Sequence, residues 1–243
     1  MNLRPFIFAG LFMGACTQDL PDRDPTDRTP LTAACDNADP SRCLLPWPSN
    51  RYTVADTTTS TGLRLAVDID SLPVDDRADY LNLADGFSRA TGVAAAFTGA
   101  IDATQLSWDP AASLETDAAV QVIVADPTRE DYGRRVPFRT EDRDATDALE
   151  EKHLIIGRPA EPLAAATDHI FIITDSIGND EEAPRDVQVA LAQVKPKNSD
   201  EQALAAWHAP TRDTLNTAGV PLESVRRLSV FTTRSREDTT RRI

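Results

Sequence analysis

Six apolar runs of strand length recur along the chain, separated by polar turn material. They lie at 63–69, 119–125, 134–139, 152–157, 169–174 and 227–233. The first run alternates apolar and polar residues, which is typical of a half-buried strand. The runs at 119–125 and 169–174 are richer in β-branched residues, which predicts central strands. Pro137 should confine its own strand to an edge or a bulge, because proline cannot donate to a strand ladder.

The segments between these runs are polar and typical of turns. They lie at 126–133, 141–151 and 175–186, and their Asp, Pro and Gly content favours turns over regular structure. Short strands separated by polar turns, with few helices, predict an antiparallel β-sandwich.

One helical pattern follows late in the chain. Residues 199–202 match a capping box, in which side chains bond the free N–H groups of the first helical turn. Four side chains are expected to face the core: Ala203, Leu204, Trp207 and Leu215. Pro210 should kink or restart the helix, and Gly219 should end it.

The N-terminal segment predicts export and lipid anchoring. Residues 5–15 are uncharged and mostly apolar, which fits the core of a secretory signal but is too short to span a bilayer. Residues 13–16, Met-Gly-Ala-Cys, resemble a bacterial lipobox, whose cysteine is acylated after cleavage. Cys16 is therefore the expected lipidation site, and acyl chains supply stable anchoring without a protein span. The alternative is an ordinary signal peptide cleaved near Ala15.

The domain organisation follows from this anchor. We expect a signal peptide at 1–15, a flexible tether at 16–33, a β-rich region at 34–195, and a helical segment with the final strand at 196–243. The tether is rich in proline and charge and has no apolar periodicity, so it cannot bury enough surface to fold. Thr17 in place of aspartate resembles the sorting signal for the outer membrane; the sequence leaves open whether the protein faces the periplasm or the cell exterior.

Charge and cysteine content narrow the function classes. The formal net charge is −14, which argues against nucleic-acid binding because the phosphates would be repelled. With Cys16 acylated, Cys35 and Cys43 remain, and an oxidising compartment favours a disulfide between them. A metal site is the alternative, but two cysteines without a nearby histidine make an incomplete zinc set.

Candidate metal and ligand residues are few. Acidic turns at 68–76 and 175–182 make calcium one alternative, with Asp68, Asp70, Asp175 and Asp180 as its oxygen ligands, and solvated loops the default. The cofactor expectation is otherwise none. The three histidines, His153, His169 and His208, lack metal-site spacing and are expected to be structural or at the surface.

Three aromatic residues could serve in either of two roles, ligand binding or core packing. Trp47, Tyr80 and Phe87 could line a ligand groove. Aromatic side chains near prolines more often pack the base of a sandwich, so the core reading is favoured.

Several sequence segments together resemble a known protein family. The segments 43–56, 61–73, 85–93, 153–180 and 228–235 resemble the N-terminal, bacterial Ig-like region of virulence-factor lipase-type secreted proteins. The resemblance implies an Ig-like sandwich with a helical C-terminal segment. In the longer relatives this region continues into an α/β-hydrolase domain.

No catalytic residue is expected in this chain. It ends at Ile243, and it contains no Gly-x-Ser-x-Gly nucleophile elbow; the nearest match, at 86–90, ends in alanine. Ser88 is therefore expected to be a loop serine. The favoured function is a non-catalytic, lipid-anchored binding or scaffold module, with a protein partner or hydrolase domain docking at its C-terminus. The alternative is a truncated or split α/β-hydrolase whose catalytic domain is missing from this chain.

Overall fold

The computed structural model describes residues 45–67, 78–97, 99–144 and 153–240. Within these ranges it contains eight strands: β1 (Thr53–Ala55), β2 (Leu63–Leu65), β3 (Val93–Phe97), β4 (Val120–Val124), β5 (Phe138–Asp144), β6 (His153–Pro159), β7 (Asp168–Thr174) and β8 (Val225–Thr232). The helices there are α1 (Ala78–Leu81), α2 (Arg185–Ala190), α3 (Ser199–Trp207), α4 (Ala209–Thr217) and α5 (Arg236–Thr240). In the same ranges, no helix has the length and apolar character that crossing a membrane requires.

The strands form antiparallel sheets, which confirms the mainly β prediction. One three-stranded sheet has the order β3-β6-β5, a second has the order β4-β7-β8, and β1 pairs with β2 as a separate ribbon. β7 is the middle strand of the second sheet, as its β-branched sequence predicts. In its register, Ile172 lies between Gln121 of β4 and Leu228 of β8. β8, from the predicted C-terminal segment, therefore shares a sheet with strands of the β-rich region.

The two three-stranded sheets contribute side chains to one core. The first sheet supplies Val93, Ala95, Phe97, Phe138 and Ile155. The second supplies Val120, Val122, Val124, Phe171, Ile173 and Phe231. In both sheets these are alternate residues of each strand, so one face of each sheet is directed at this core.

The opposite face of the second sheet is covered by helices α2, α3 and α4. Ile123, Ile170 and Ile172 project to this side and share a second core with Leu204 and Leu215. β4 and β7 are therefore buried on both faces. This burial explains why their sequences are almost continuously apolar instead of alternating.

The chain crosses from one sheet to the other at Pro137. Before it, the Val136 N–H donates to the Val122 carbonyl at 2.8 Å, so this segment extends the β4 edge. After it, Phe138 begins β5 of the other sheet. A single strand over 134–139 is thus wrong, because the residues on either side of the proline pair with different sheets. β5 also continues to Asp144, through residues that the sequence predicted to be a turn.

The late helical segment consists of two helices that meet at His208. Pro210 lies in the first turn of α4, where the missing N–H costs nothing, so the predicted restart is confirmed. Asn198, and not Ser199, caps α3, accepting the Glu201 N–H at 2.8 Å. Gly219 follows α4 with φ +72°, as the predicted cap requires.

The four side chains expected in the core divide into two groups. Leu204 and Leu215 are buried, Ala203 is exposed, and Trp207 is partly exposed beside a cleft. α2, which the sequence analysis did not predict, supplies the third helix of this layer. Its Val187 and Val189 are buried against the second sheet.

Candidate functional site

A narrow cleft lies between the helical layer and the segment 46–51. Its walls come from that segment, from α2 and Pro184 before it, from the end of α3, and from the residues 227–230 of β8. The space inside is about 40 Å³. Drug-sized ligands occupy pockets of ~300–1,000 Å³, so this cleft has room only for a small group.

Segment 46–51 is held in place by hydrogen bonds to both sheets. Trp47 exchanges two backbone hydrogen bonds with Ala94 of β3, both 2.8 Å. The Ser229 hydroxyl donates to the Pro48 carbonyl, and the Thr232 N–H donates to the Asn50 side-chain oxygen at 2.9 Å. These bonds fix the backbone from which the polar side chains of the cleft project.

Arg51 supplies the main positive charge of the cleft. It lies in a 3₁₀ turn over Asn50–Tyr52, which begins after Ser49, whose hydroxyl accepts the Arg51 N–H. The Arg51 side chain is only 13% exposed. Its carboxylate neighbour, Asp186 of α2, is 3.6 Å from it, which is too long for a hydrogen bond. The other oxygen of Asp186, Oδ1, accepts the Val187 N–H at 2.9 Å.

His208 lies at the junction of α3 and α4 and is 6% exposed. Its Nδ1 is 3.1 Å from the Thr211 hydroxyl, and the Trp207 ring packs edge-on against it at 4.6 Å. Burial lowers the pKa of His208 to about 3, and the charges of Arg212 and Arg51 act in the same direction. The ring is therefore neutral at physiological pH. Among the residues that the structure describes, its Nε2 has no hydrogen-bond partner.

Two further arginines beside the cleft interact with other groups of the protein. Arg212 donates to the carbonyls of Ala190 and Ala205, at 2.6 and 2.8 Å, and so joins all three helices. Arg227 points into the space between the sheets. There its guanidinium lies 4.1 Å from the centre of the Phe97 ring and 2.7 Å from the Glu181 carboxylate.

The acidic turn at 175–182 lies outside the cleft lining and is hydrogen-bonded to the loop after β3. Glu181 accepts the Gly99 N–H at 2.7 Å, and the Asn179 amide donates to the Ala100 carbonyl at 2.8 Å. Asp175 pairs with Arg226 at 3.2 Å, and Asp180 is exposed. In the described ranges, no group of three or more His, Cys, Asp or Glu side chains is placed to hold a metal.

The remaining ligands of the calcium prediction, Asp68 and Asp70, lie outside the described residues. The lipidation site Cys16 and the predicted disulfide partners, Cys35 and Cys43, also lie outside them. These assignments therefore stay predictions.

The other two histidines are bound into the β structure. His153 Nδ1 is 2.6 Å from the Asp142 carboxylate on the neighbouring strand. His169 is fully buried; its Nδ1–H donates to the Thr167 carbonyl at 2.9 Å, and its ring stacks on Phe231 at 5.4 Å. Both lie away from the cleft lining.

Ser88 and the aromatic residues occupy ordinary structural positions. Ser88 is exposed in a turn, where its hydroxyl accepts the Ala90 N–H at 3.2 Å. Phe87 is a core residue with Trp47 packed edge-on against it at 5.1 Å, which confirms the core reading for these two. Tyr80 is 54% exposed, so that reading is wrong for it.

From the sequence, His208 was expected to be structural or at the surface and Trp207 to face the core, and neither was given a binding role. The sequence analysis did not single out Arg51, Asp186 or Ser229. No local motif joins residues so far apart in the chain. Comparison of the chain with protein-family models, with curated proteins and with solved structures finds no match.

Proposed function

We propose that this protein is a lipid-anchored lipoprotein of the cell envelope, held at the outer membrane through Cys16. The support is the Met-Gly-Ala-Cys motif at 13–16, which follows a short apolar segment and precedes a polar, proline-rich tether. Acylation would explain why the apolar segment stops abruptly at the cysteine, because buried acyl chains provide the membrane affinity.

We propose further that the body is an Ig-like antiparallel β-sandwich that acts as a non-catalytic binding or scaffold module. Two antiparallel sheets share one core, which supports the sandwich. The observation that carries the binding role is the cleft, where the partly buried Arg51 guanidinium and the His208 imidazole lie beside an open space.

The partners of the three imidazoles support a non-catalytic reading. His153 bonds to a carboxylate, and His169 bonds to a backbone carbonyl. His208 bonds to Thr211, three residues along the helical segment, where both side chains are buried. A nucleophile needs a base within reach and access to substrate, and buried Thr211 lacks that access.

Metabolic labelling with a clickable fatty acid tests the anchor. Cys16→Ser should abolish the label, whereas Cys43→Ser, a matched serine substitution, should leave it in place. Label that survives Cys16→Ser would contradict the anchoring proposal.

An esterase assay tests the non-catalytic role. The full chain, purified in detergent, should hydrolyse short-chain esters no faster than buffer. Hydrolysis that one point substitution in this chain abolishes would favour the alternative, a hydrolase. If activity arises only on adding an α/β-hydrolase partner, the chain is the accessory region of a split enzyme, with the C-terminus as its proposed docking end.

A further inference from the structure

We propose that the cleft binds a small monocarboxylate, which accepts hydrogen bonds from the Arg51 guanidinium and from His208 Nε2–H. The inference rests on the binding role proposed above and names the ligand class for it.

The first argument is that the Arg51 guanidinium has more N–H donors than its described neighbours use. A guanidinium carries five N–H donors, and Arg51 lines the cleft. Asp186 stands at 3.6 Å and the neighbouring Tyr52 hydroxyl approaches the same group, so the described neighbours use only part of this capacity. A ligand carboxylate in the cleft would accept two parallel bonds from the fork of the guanidinium.

The second argument is the open nitrogen of His208. We assign the Thr211 hydroxyl as the donor to Nδ1, at 3.1 Å. The proton of the neutral ring then resides on Nε2, which becomes a donor. His208 is 6% exposed and lines the cleft, so an acceptor bound in the cleft would meet this N–H.

The third argument is the sign of the local charge. Arg51 and Arg212 are both close enough to His208 to oppose its protonation. Arg212 donates to two backbone carbonyls, so Asp186 is the carboxylate that offsets these two charges within the cleft. The result is a positive region on a chain whose formal net charge is −14. Such a region favours an anion over a cation or a neutral ligand.

The fourth argument is size and wall chemistry. A space of about 40 Å³ holds a two- or three-carbon acid more readily than a large anion. The apolar part of the lining would contact a short alkyl group: Val187, Leu204, Trp207, Leu228 and Val230. A few directed polar groups within an apolar lining are the usual composition of small-molecule sites.

Acetate is the probe for the test, and acetamide is its neutral isostere. The full chain in detergent is titrated with sodium acetate at constant ionic strength, with chloride as the replaced anion, and followed by two-dimensional NMR. We expect saturable shifts that centre on the side-chain signals of Arg51, His208 and Trp207. Acetamide should give none of these shifts.

Three variants complete the experiment. Arg51→Gln should weaken acetate binding by at least about tenfold, as expected when a charged donor of a buried pair is lost. Arg51→Lys keeps the charge but not the fork and should give an intermediate affinity. Arg139→Gln removes an exposed arginine on β5 of the other sheet and should leave binding unchanged.

Three results would overturn the inference: acetate shifts that do not saturate, acetamide shifts of equal size, or unchanged acetate affinity in Arg51→Gln. If Arg51→Gln fails to fold, the map of shifts on the unaltered chain still decides, because shifts scattered away from the cleft refute the site. The fatty-acid label at Cys16 is an independent readout. A failed titration with intact labelling therefore refutes the ligand class and leaves the anchor standing.

Discussion

Replacing His169 with phenylalanine should flatten the dependence of stability on acid pH. His169 is fully buried in the core between the two sheets, and burial lowers its pKa to about 4 from an ordinary value of 6.5. His208 behaves in the same way, with its pKa lowered to about 3. Below pH 6.5 the unfolded chain therefore binds two protons, one on each histidine, that the folded protein does not bind.

The sign follows from linkage. The unfolded state binds more protons than the folded state between pH 6.5 and about 4, so the free energy of unfolding falls as pH falls through this window. In this window each histidine lowers the free energy of unfolding by about 1.4 kcal/mol per pH unit. At pH 5 the loss relative to pH 7.5 is about 2 kcal/mol. The two together cost about 4 kcal/mol, a large part of the ~5–15 kcal/mol that folded proteins typically have.

His169→Phe should cost little at neutral pH. The Thr167 carbonyl that loses its imidazole donor still accepts the Thr233 N–H at 3.0 Å and its hydroxyl at 3.1 Å. The other ring nitrogen, Nε2, makes no hydrogen bond with the described residues, so its removal leaves no group unpaired. A phenyl ring can also keep the stack on Phe231.

Urea unfolding at pH 7.5, 6.5, 5.5 and 5.0 measures the effect, in buffers free of carboxylates because of the proposed ligand. The variant should lose about 2 kcal/mol less than the unaltered chain between pH 7.5 and 5. His208→Asn should spare a similar amount, and the double variant about twice as much. Shifted carboxyls, such as Asp131, whose pKa is lowered by the hydrogen bond from Arg129, and Asp168, whose pKa is raised by burial, are present in both chains, so their contributions cancel in the comparison. Parallel pH profiles for the variant and the unaltered chain would refute the reasoning.

Three further predictions concern the packing of the β body and its C-terminal end. Gly86→Ala should destabilise the fold by at least about 3 kcal/mol, since its Cβ would lie 2.7 Å from the backbone of the segment after β8; Gly62→Ala, with open space around it, should cost only ~1–2 kcal/mol. Chemical denaturation compares the two, and equal losses would contradict the steric argument. Glu181→Ala removes a partly exposed carboxylate 2.7 Å from the buried Arg227 guanidinium and should cost about 2 kcal/mol by the same assay, whereas a loss below ~1 kcal/mol would show that the pair is effectively solvated. Deleting residues 236–243 removes the Asp238 N–H that donates to the Ser235 hydroxyl at 3.1 Å, but it keeps the bond from the Ser235 N–H to Asp85 at 3.0 Å, which holds the end of β8. The melting temperature should therefore fall only slightly, and a large drop on calorimetry would mean that this tail belongs to the folded body.

Some strands could be predicted from their residues alone, because their burial shows in their composition. β4 and β7 are buried on both faces and therefore read as dense β-branched runs, and β7 is central as predicted. Pro210 and Gly219 acted through local backbone geometry, which is why the helix restart and its end were predictable.

Other elements depend on partners that are distant in the chain. β5 runs through the charged residues 141–144, and it is a strand because seven of its residues pair with β6. β3 is rich in alanine and was missed, since its small side chains are selected by the tight core between the sheets. Pro137 marked an irregularity, but only the tertiary structure showed that the chain changes sheets there.

The candidate site was decided almost wholly by the tertiary structure. Arg51, Asp186 and His208 are separated by more than twenty residues from one another, and nothing in the local pattern around each indicates a ligand. Packing of the helices on the second sheet brings them to one cleft. The lipidation motif differs in kind, because a contiguous four-residue pattern carries it and the sequence suffices to predict it.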